Sequence, residues 1–224
     1  MIYSNILGAI GNTPIVKLNR ITSGLDAEIY AKLEFMNPGG SIKDRIGYWL
    51  IEDAEKRGVL KPGGTIIEGT RGNTGVGLAI AAAIKGYHCI FVLPDKMSDE
   101  KIMSLWAFGA KVVVTPTAVA PEDPKSYYSV SRRLAEDTPN SFYIDQYNNL
   151  ANRDCHFNNT GPEILSQMPD IDVFIAGIGT GGTICGNGQY FRENKPSVEV
   201  VAIDPMGSIV YDKFKTGTDV PAHT

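Results

Sequence analysis

From Glu28 onward, short runs rich in β-branched residues alternate with longer stretches of helical periodicity, and this alternation constrains the fold more than any other feature. The spacing predicts strands over Glu28–Leu33, Thr65–Glu68, His88–Leu93, Lys111–Thr115, Ser141–Ile144, Val173–Ala176 and Val198–Ile203. It predicts helices over Lys43–Arg57, Thr74–Lys85, Ser98–Phe108, Pro124–Glu136, Asn152–Gln167 and Gly182–Glu193. Strand–helix alternation of this kind argues for an α/β fold of mostly parallel sheets with helices on both faces. Punctuation agrees: Ser98 with Asp99 and Glu100 reads as an N-cap and first-turn acids, and Gly58 and Gly109 are placed to stop helices. Lys61–Gly64 reads as a turn, Thr115–Pro124 as a proline-broken loop, and the sharpest break falls near Asn148–Asn152.

The 224 residues, 43% of them hydrophobic, are enough to bury about 70% of the unfolded surface in one large or two small domains. A net charge of -4, with both signs interspersed, provides no basic field for nucleic acid. No apolar run reaches membrane-span length and the N-terminus lacks a signal-peptide pattern, so no membrane association and a cytoplasmic location are expected. Cys89, Cys155 and Cys185 are odd in number and far apart, without a C-x-x-C, which argues against a disulfide framework or zinc site. Cys155 beside His156 is a weak metal hint, best read as two ordinary helix residues, and no metal is expected.

Open α/β sheets bind ligands at the carboxyl ends of their strands, which directs attention to the loops. In N-P-G-G-S-I-K-D-R (Asn37–Arg45) a glycine turn delivers Lys43 to a helix start, with Ser41 as N-cap. The positive end of the helix dipole disfavours the charged lysine, and an available amine can form a Schiff base; the plain alternative is a solvated surface lysine. In I-I-E-G-T-R-G-N-T-G (Ile66–Gly75) glycines and a helix N-terminus suit an anion such as a carboxylate. In F-I-A-G-I-G-T-G-G-T (Phe174–Thr183) backbone donors and the Thr180 and Thr183 hydroxyls suit a phosphate. Gly177, Gly179 and Gly182 also spell G-x-G-x-x-G, with Asp204 about 20 residues on, as in a dinucleotide site, so an NAD-dependent oxidoreductase is a rival. Against it, several strands precede this one. Gln146 and Tyr147 in I-D-Q-Y-N-N (Ile144–Asn149) can reach a ligand or be satisfied by backbone.

These motifs in this order resemble the fold-type II pyridoxal-phosphate enzymes of the cysteine synthase and cystathionine β-synthase family. Ile10–Pro14 (I-G-N-T-P) and Asn158–Ile164 (N-N-T-G-P-E-I) match too, so the resemblance spans essentially the whole chain. It implies two three-layer αβα domains like those of the tryptophan synthase β subunit: a smaller substrate-side domain of residues 1–12 and 35–147, and a larger phosphate-binding domain of residues 13–34 and 148–224. It implies pyridoxal 5'-phosphate as cofactor, with Lys43 holding it and later moving the substrate's α-proton. Asn73 would lie beside the ring hydroxyl, with Gly179, Thr180, Gly181, Gly182 and Thr183 around the phosphate. Thr70, Thr74 and Gln146 would take the carboxylate of a small amino-acid substrate, with Asn73, Arg71 and Tyr147 beside them. A homodimer is implied. D-Q-Y at Asp145–Tyr147, Pro94–Lys101 and Asp204–Ile209 lean toward the cystathionine β-synthase branch, with serine or an activated serine as donor and homocysteine as acceptor; cysteine synthase chemistry is the near alternative.

Two departures matter. Arg71 stands where the family usually has serine, and its guanidinium can pair with a substrate carboxylate or a second acidic group, or turn to solvent. The family core continues beyond P-A-H-T (Pro221–Thr224) with more strands and a Ser or Thr facing the ring nitrogen, so a truncated C-terminal part or a non-catalytic relative is a further expectation. The start near the catalytic core predicts no haem segment and no haem.

Overall fold

The computed structural model describes residues 2–120 and 122–218; Pro221–Thr224 lies outside them. Contacts divide the chain into two compact units, Met1–Cys155 and His156–Thr224. In this division residues 13–34 fall with the first unit.

The first unit opens with an antiparallel pair, β1 (Ile15–Lys17) and β2 (Tyr30–Lys32), in register Ile15 to Lys32. β2 lies inside the expected Glu28–Leu33 strand; β1 was not foreseen, because three residues carry no readable period. Then follow α1 (Lys43–Lys56), β3 (Thr65–Gly69), α2 (Asn73–Lys85), β4 (His88–Pro94), α3 (Asp99–Ala107), β5 (Lys111–Thr115), α4 (Tyr127–Asp137), β6 (Ser141–Tyr143) and α5 (Ala151–Cys155). α4 starts three residues later than expected, where Ser126 Oγ caps it by accepting the Ser129 N–H at 3.1 Å.

β3, β4, β5 and β6 form one fully parallel sheet in the order β5-β4-β3-β6. Alternation along β4 shows how its two faces are covered. Cys89, Phe91 and Leu93 join the main core with Ile46, Leu50, Ile51 and Ala54 of α1 and Leu78 of α2, while Val92 packs with Tyr127 and Val130 of α4. That is the three-layer αβα arrangement. The chain runs outward from β3 through β4 to β5, then returns to place β6 on the other side of β3. The strand order therefore reverses at β3, the type of position where open α/β sheets hold ligands.

The second unit begins with a π-helical turn (His156–Thr160), then α6 (Gly161–Gln167), β7 (Val173–Gly177), α7 (Gly182–Asn194), β8 (Glu199–Ile203) and α8 (Val210–Thr216). β7 and β8 are parallel, and Ile164, Ile171, Phe191 and Val198 form the core beside them. The single helix expected over Asn152–Gln167 is thus three segments, and the π turn is the difference. α8 was not foreseen.

Candidate active site

The turn that carries Lys43 is held from behind by a buried polar cluster. Asn37 Oδ1 accepts the Gly11 N–H at 2.8 Å, and its Nδ2 donates to Glu34 O at 2.8 Å and Glu34 Oε2 at 2.9 Å. Arg45, buried, grips the same carboxylate with two donors, Nε to Oε2 at 2.7 Å and Nη2 to Oε1 at 2.9 Å, and Thr13 Oγ1 donates to Oε1 at 2.6 Å. A bidentate pair fixes direction as well as distance, so Asn37 and Arg45 hold the two ends of the segment that presents Lys43. Ser41 Oγ accepts the Lys43 N–H at 3.2 Å, but Ile42, already helical, occupies the cap position.

Burial lowers the pKa of the half-buried Lys43 amine. No carboxylate partners it among the described residues. Beside it Asp44 is buried, and its Oδ2 accepts the Gly39 N–H while Oδ1 has no partner; burial raises its pKa to about 6. The helix start is pressed onto α2 without a side chain between: a Cβ added at Gly77 would lie 2.5 Å from Lys43 O, and one at Gly47 2.4 Å from Gly77 C. The backbone of Lys43 thus lies one turn from Asn73 and Thr74 at the start of α2.

At the reversal point, β3 runs into a loop organised by Thr70. Its Oγ1 accepts the N–H groups of Gly72 at 3.1 Å and Gly75 at 3.3 Å. Gly72, at φ 129, has no capping side chain, so the Asn73 and Thr74 N–H groups lack intrahelical partners and can bind an anion. Thr74 Oγ1 donates to Gln146 Oε1 at 2.7 Å, joining the β3 loop to the β6 loop. Thr70, Thr74 and Gln146 are all buried, and Asn73 is exposed with an uncommitted side chain.

Glu68, absent from the sequence-based site, supports this arrangement. Fully buried at the end of β3, it accepts the Asp145 N–H at 2.9 Å and the Gln146 N–H at 3.4 Å, and burial raises its pKa to about 8. Asp145 takes φ 51, a left-handed conformation unusual outside glycine, and these bonds hold it there. Arg71 turns instead among Tyr127, Tyr147 and Tyr128. Tyr128 lies 3.9 Å from Tyr127 and 5.9 Å from Tyr147 between ring centroids. Arg71 and Tyr147 therefore belong together, beside the Thr70–Thr74 turn.

In the second unit, β7 ends in the glycine loop and α7 begins at Gly182. Gly181, at φ 84, stands at its N-cap with no capping side chain, and a Cβ at Gly179 would meet nothing. Open donors at the head of a 13-residue helix, with a hydroxyl from Thr183, fit a phosphate. His156, fully buried, places Nδ1 2.9 Å from Thr160 Oγ1 and Nε2 3.3 Å from Thr183 Oγ1. Its ring nitrogens serve hydrogen bonds, and no group of three or more His, Cys, Asp or Glu among the described residues can hold a metal. Asp204 Oδ2 accepts the Tyr211 N–H at 3.0 Å, while its buried Oδ1 has no partner among the described residues.

The sequence signature of the pyridoxal-phosphate dependent enzymes matches residues 6–224. The chain belongs to this family. It is 53% identical over 212 residues to a cystathionine beta-synthase of Apis mellifera, covering 93% of this chain and 42% of the relative. To a cystathionine beta-synthase of Rattus norvegicus it is 50% identical, covering 93% of this chain and 38% of the relative. To a cysteine synthase 1 of Neurospora crassa it is 44% identical, covering 96% and 58%. The crystal structure of an O-acetylserine dependent cystathionine beta-synthase from Helicobacter pylori superposes with a TM-score of 0.87 at 38% identity, covering 100% of this chain and 71% of that one. The chain thus spans about two fifths of the length of these cystathionine beta-synthases. Its cofactor is pyridoxal phosphate, and the fold is that of the fold-type II enzymes. No helix among the described residues is long and apolar enough to cross a membrane. The sequence signals for the missed groups were present but mute: the Glu of I-I-E-G-T is Glu68, and the His before N-N-T-G-P is His156 after one intervening Phe.

Proposed function

We propose that the chain carries out β-replacement on serine or an activated serine with homocysteine as acceptor, giving cystathionine. The observation that carries this is the paired loop of Thr70, Thr74 and Gln146 around open helix donors, a site for an α-carboxylate, with Lys43 delivered to the start of the neighbouring helix as an amine without a counter-ion. When bound, pyridoxal phosphate supplies the electron sink that lets the substrate's α-proton leave. Lys43 would hold the cofactor and take the substrate's α-proton on Nζ; burial, which lowers its pKa, favours the uncharged amine that can accept that proton. Thr70, Thr74, Gln146 and the Asn73 and Thr74 N–H groups would orient the carboxylate, and the Asn73 side chain would serve the ring hydroxyl. Gly179, Thr180, Gly181, Gly182 and Thr183 form the phosphate cradle. A cytoplasmic homodimer is carried over only from the family resemblance, as part of this proposal.

The cysteine synthase 1 relative favours a second reading, cysteine formation from O-acetylserine or O-phosphoserine and sulfide, whereas the O-acetylserine dependent cystathionine beta-synthase of Helicobacter pylori favours an activated serine as donor. A matrix of serine, O-acetylserine and O-phosphoserine against homocysteine and sulfide separates them, with cystathionine expected as the dominant product. Dominant cysteine formation would assign the second reading, and no turnover with any pair would mark a non-catalytic relative. Lys43→Ala should lose both turnover and the yellow colour of the lysine-bound cofactor.

A further inference from the structure

We infer that His156 is a positioning residue for the cofactor's phosphate, acting by fixing the direction of the Thr183 hydroxyl proton. This rests on the assignment of Gly179–Thr183 as the phosphate cradle. A threonine hydroxyl carries one proton and can donate one hydrogen bond. If Thr183 spends it on the histidine, only lone pairs face the phosphate oxygens and the contact is repulsive. If His156 donates from Nε2 to Thr183 Oγ1, the Thr183 proton is directed outward to the anion. That requires a proton on Nε2; in the neutral ring Nδ1 then accepts, and Thr160 Oγ1, 2.9 Å from Nδ1, is a hydroxyl placed to donate to it.

The surroundings hold the pair rigidly. Asn187, fully buried, donates from Nδ2 to Thr183 O at 2.9 Å, so the residue is gripped at its backbone as well as its hydroxyl. The π turn that carries His156 and Thr160 lies tightly on α7: a Cβ at Gly161 would meet Tyr190 at 2.8 Å, and Phe157 packs edge-on to the Tyr190 ring at 5.8 Å. A π turn inside a helical run marks functional positions more often than chance, and here it brings a buried histidine to the first turn of the phosphate-binding helix.

The test titrates the apo chain with pyridoxal phosphate and with pyridoxal, which lacks the phosphate. His156→Phe should weaken pyridoxal phosphate about tenfold, the scale of one good net hydrogen bond, and leave pyridoxal affinity unchanged. His156→Gln, which can still donate toward Thr183, should recover most of the loss, and His156→Phe should add little in a Thr183→Val background. Equal losses for both ligands, no loss, or additive losses would overturn the role. If His156→Phe does not fold, His156→Asn against His156→Gln decides it: loss with Asn and retention with Gln supports it, and the reverse pattern or no difference refutes it. A wild-type chain that binds pyridoxal phosphate no more tightly than pyridoxal would instead overturn the cradle assignment itself.

Discussion

Gly77→Ala adds one methyl where two helices touch through bare backbone, and the structure sets its cost. The new Cβ would stand 2.5 Å from Lys43 O and 2.9 Å from both Lys43 C and Asp44 Cα. Non-bonded heavy atoms rest at about 3.5–4.0 Å, so α1 must retreat from α2 by about 1 Å. Overpacking of this kind costs about 1–3 kcal/mol. The gain in helix propensity of Ala over Gly, about 0.8–1.0 kcal/mol, offsets part of it. A net loss of about 0–2 kcal/mol is expected, read from the urea midpoint at unchanged m-value. The functional loss should be larger than the stability loss suggests, because the segment that moves carries Lys43: a 1 Å misplacement costs on the order of a hundredfold in turnover. Gly188→Ala is the control. It too lies inside a helix, but its Cβ would meet only Val200 at 3.4 Å and 3.9 Å, ordinary contact distances, so it should stabilise by about 0.8–1.0 kcal/mol. If Gly77→Ala stabilises as Gly188→Ala does, or leaves turnover intact, the close approach of α1 and α2 does not position the lysine.

Two further outcomes follow from charge. Burial raises Glu68 from 4.5 to about 8, so the folded chain holds a proton there that the unfolded chain has released. By linkage, this contribution to stability is full below 4.5 and is lost as pH rises to about 8; urea titrations across that window should show a shallower fall for Glu68→Gln than for wild type, and parallel curves would contradict the burial of an ionisable acid at the end of β3. Arg71→Ser removes the guanidinium beside Thr70 while leaving the tyrosines in place; we propose that it raises KM for O-phosphoserine about tenfold with serine little changed, as loss of one charge-assisted bond predicts, and an unaltered donor preference would mean that Arg71 serves only the solvent side.

The parts of this site that could be read from sequence are those whose signal is local. A strand followed by Gly, Thr and a helix start announces its own anion-binding turn, and both the Thr70–Thr74 loop and the Gly179–Thr183 loop lie at such junctions. What holds those loops is not local. Glu68 meets Asp145 and Gln146 across 77 and 78 residues of chain, and His156 meets Thr183 across 27. Those distances close only because β6 pairs with β3 instead of β5, and because a π turn interrupts a stretch with ordinary helical periodicity. Periodicity identifies strands without ordering them, so Gln146 could be proposed as a ligand group from its place after a strand, whereas the buried carboxylate beneath it read as one more β3 residue. The same reasoning explains Gly77. Its sequence context, a glycine in an alanine-rich helix, looks like a weakness, and only the facing backbone of Lys43 turns it into a requirement. Residues that touch a ligand are constrained by chemistry that their neighbours in sequence share, while residues that aim them are constrained by packing that only the assembled sheet defines.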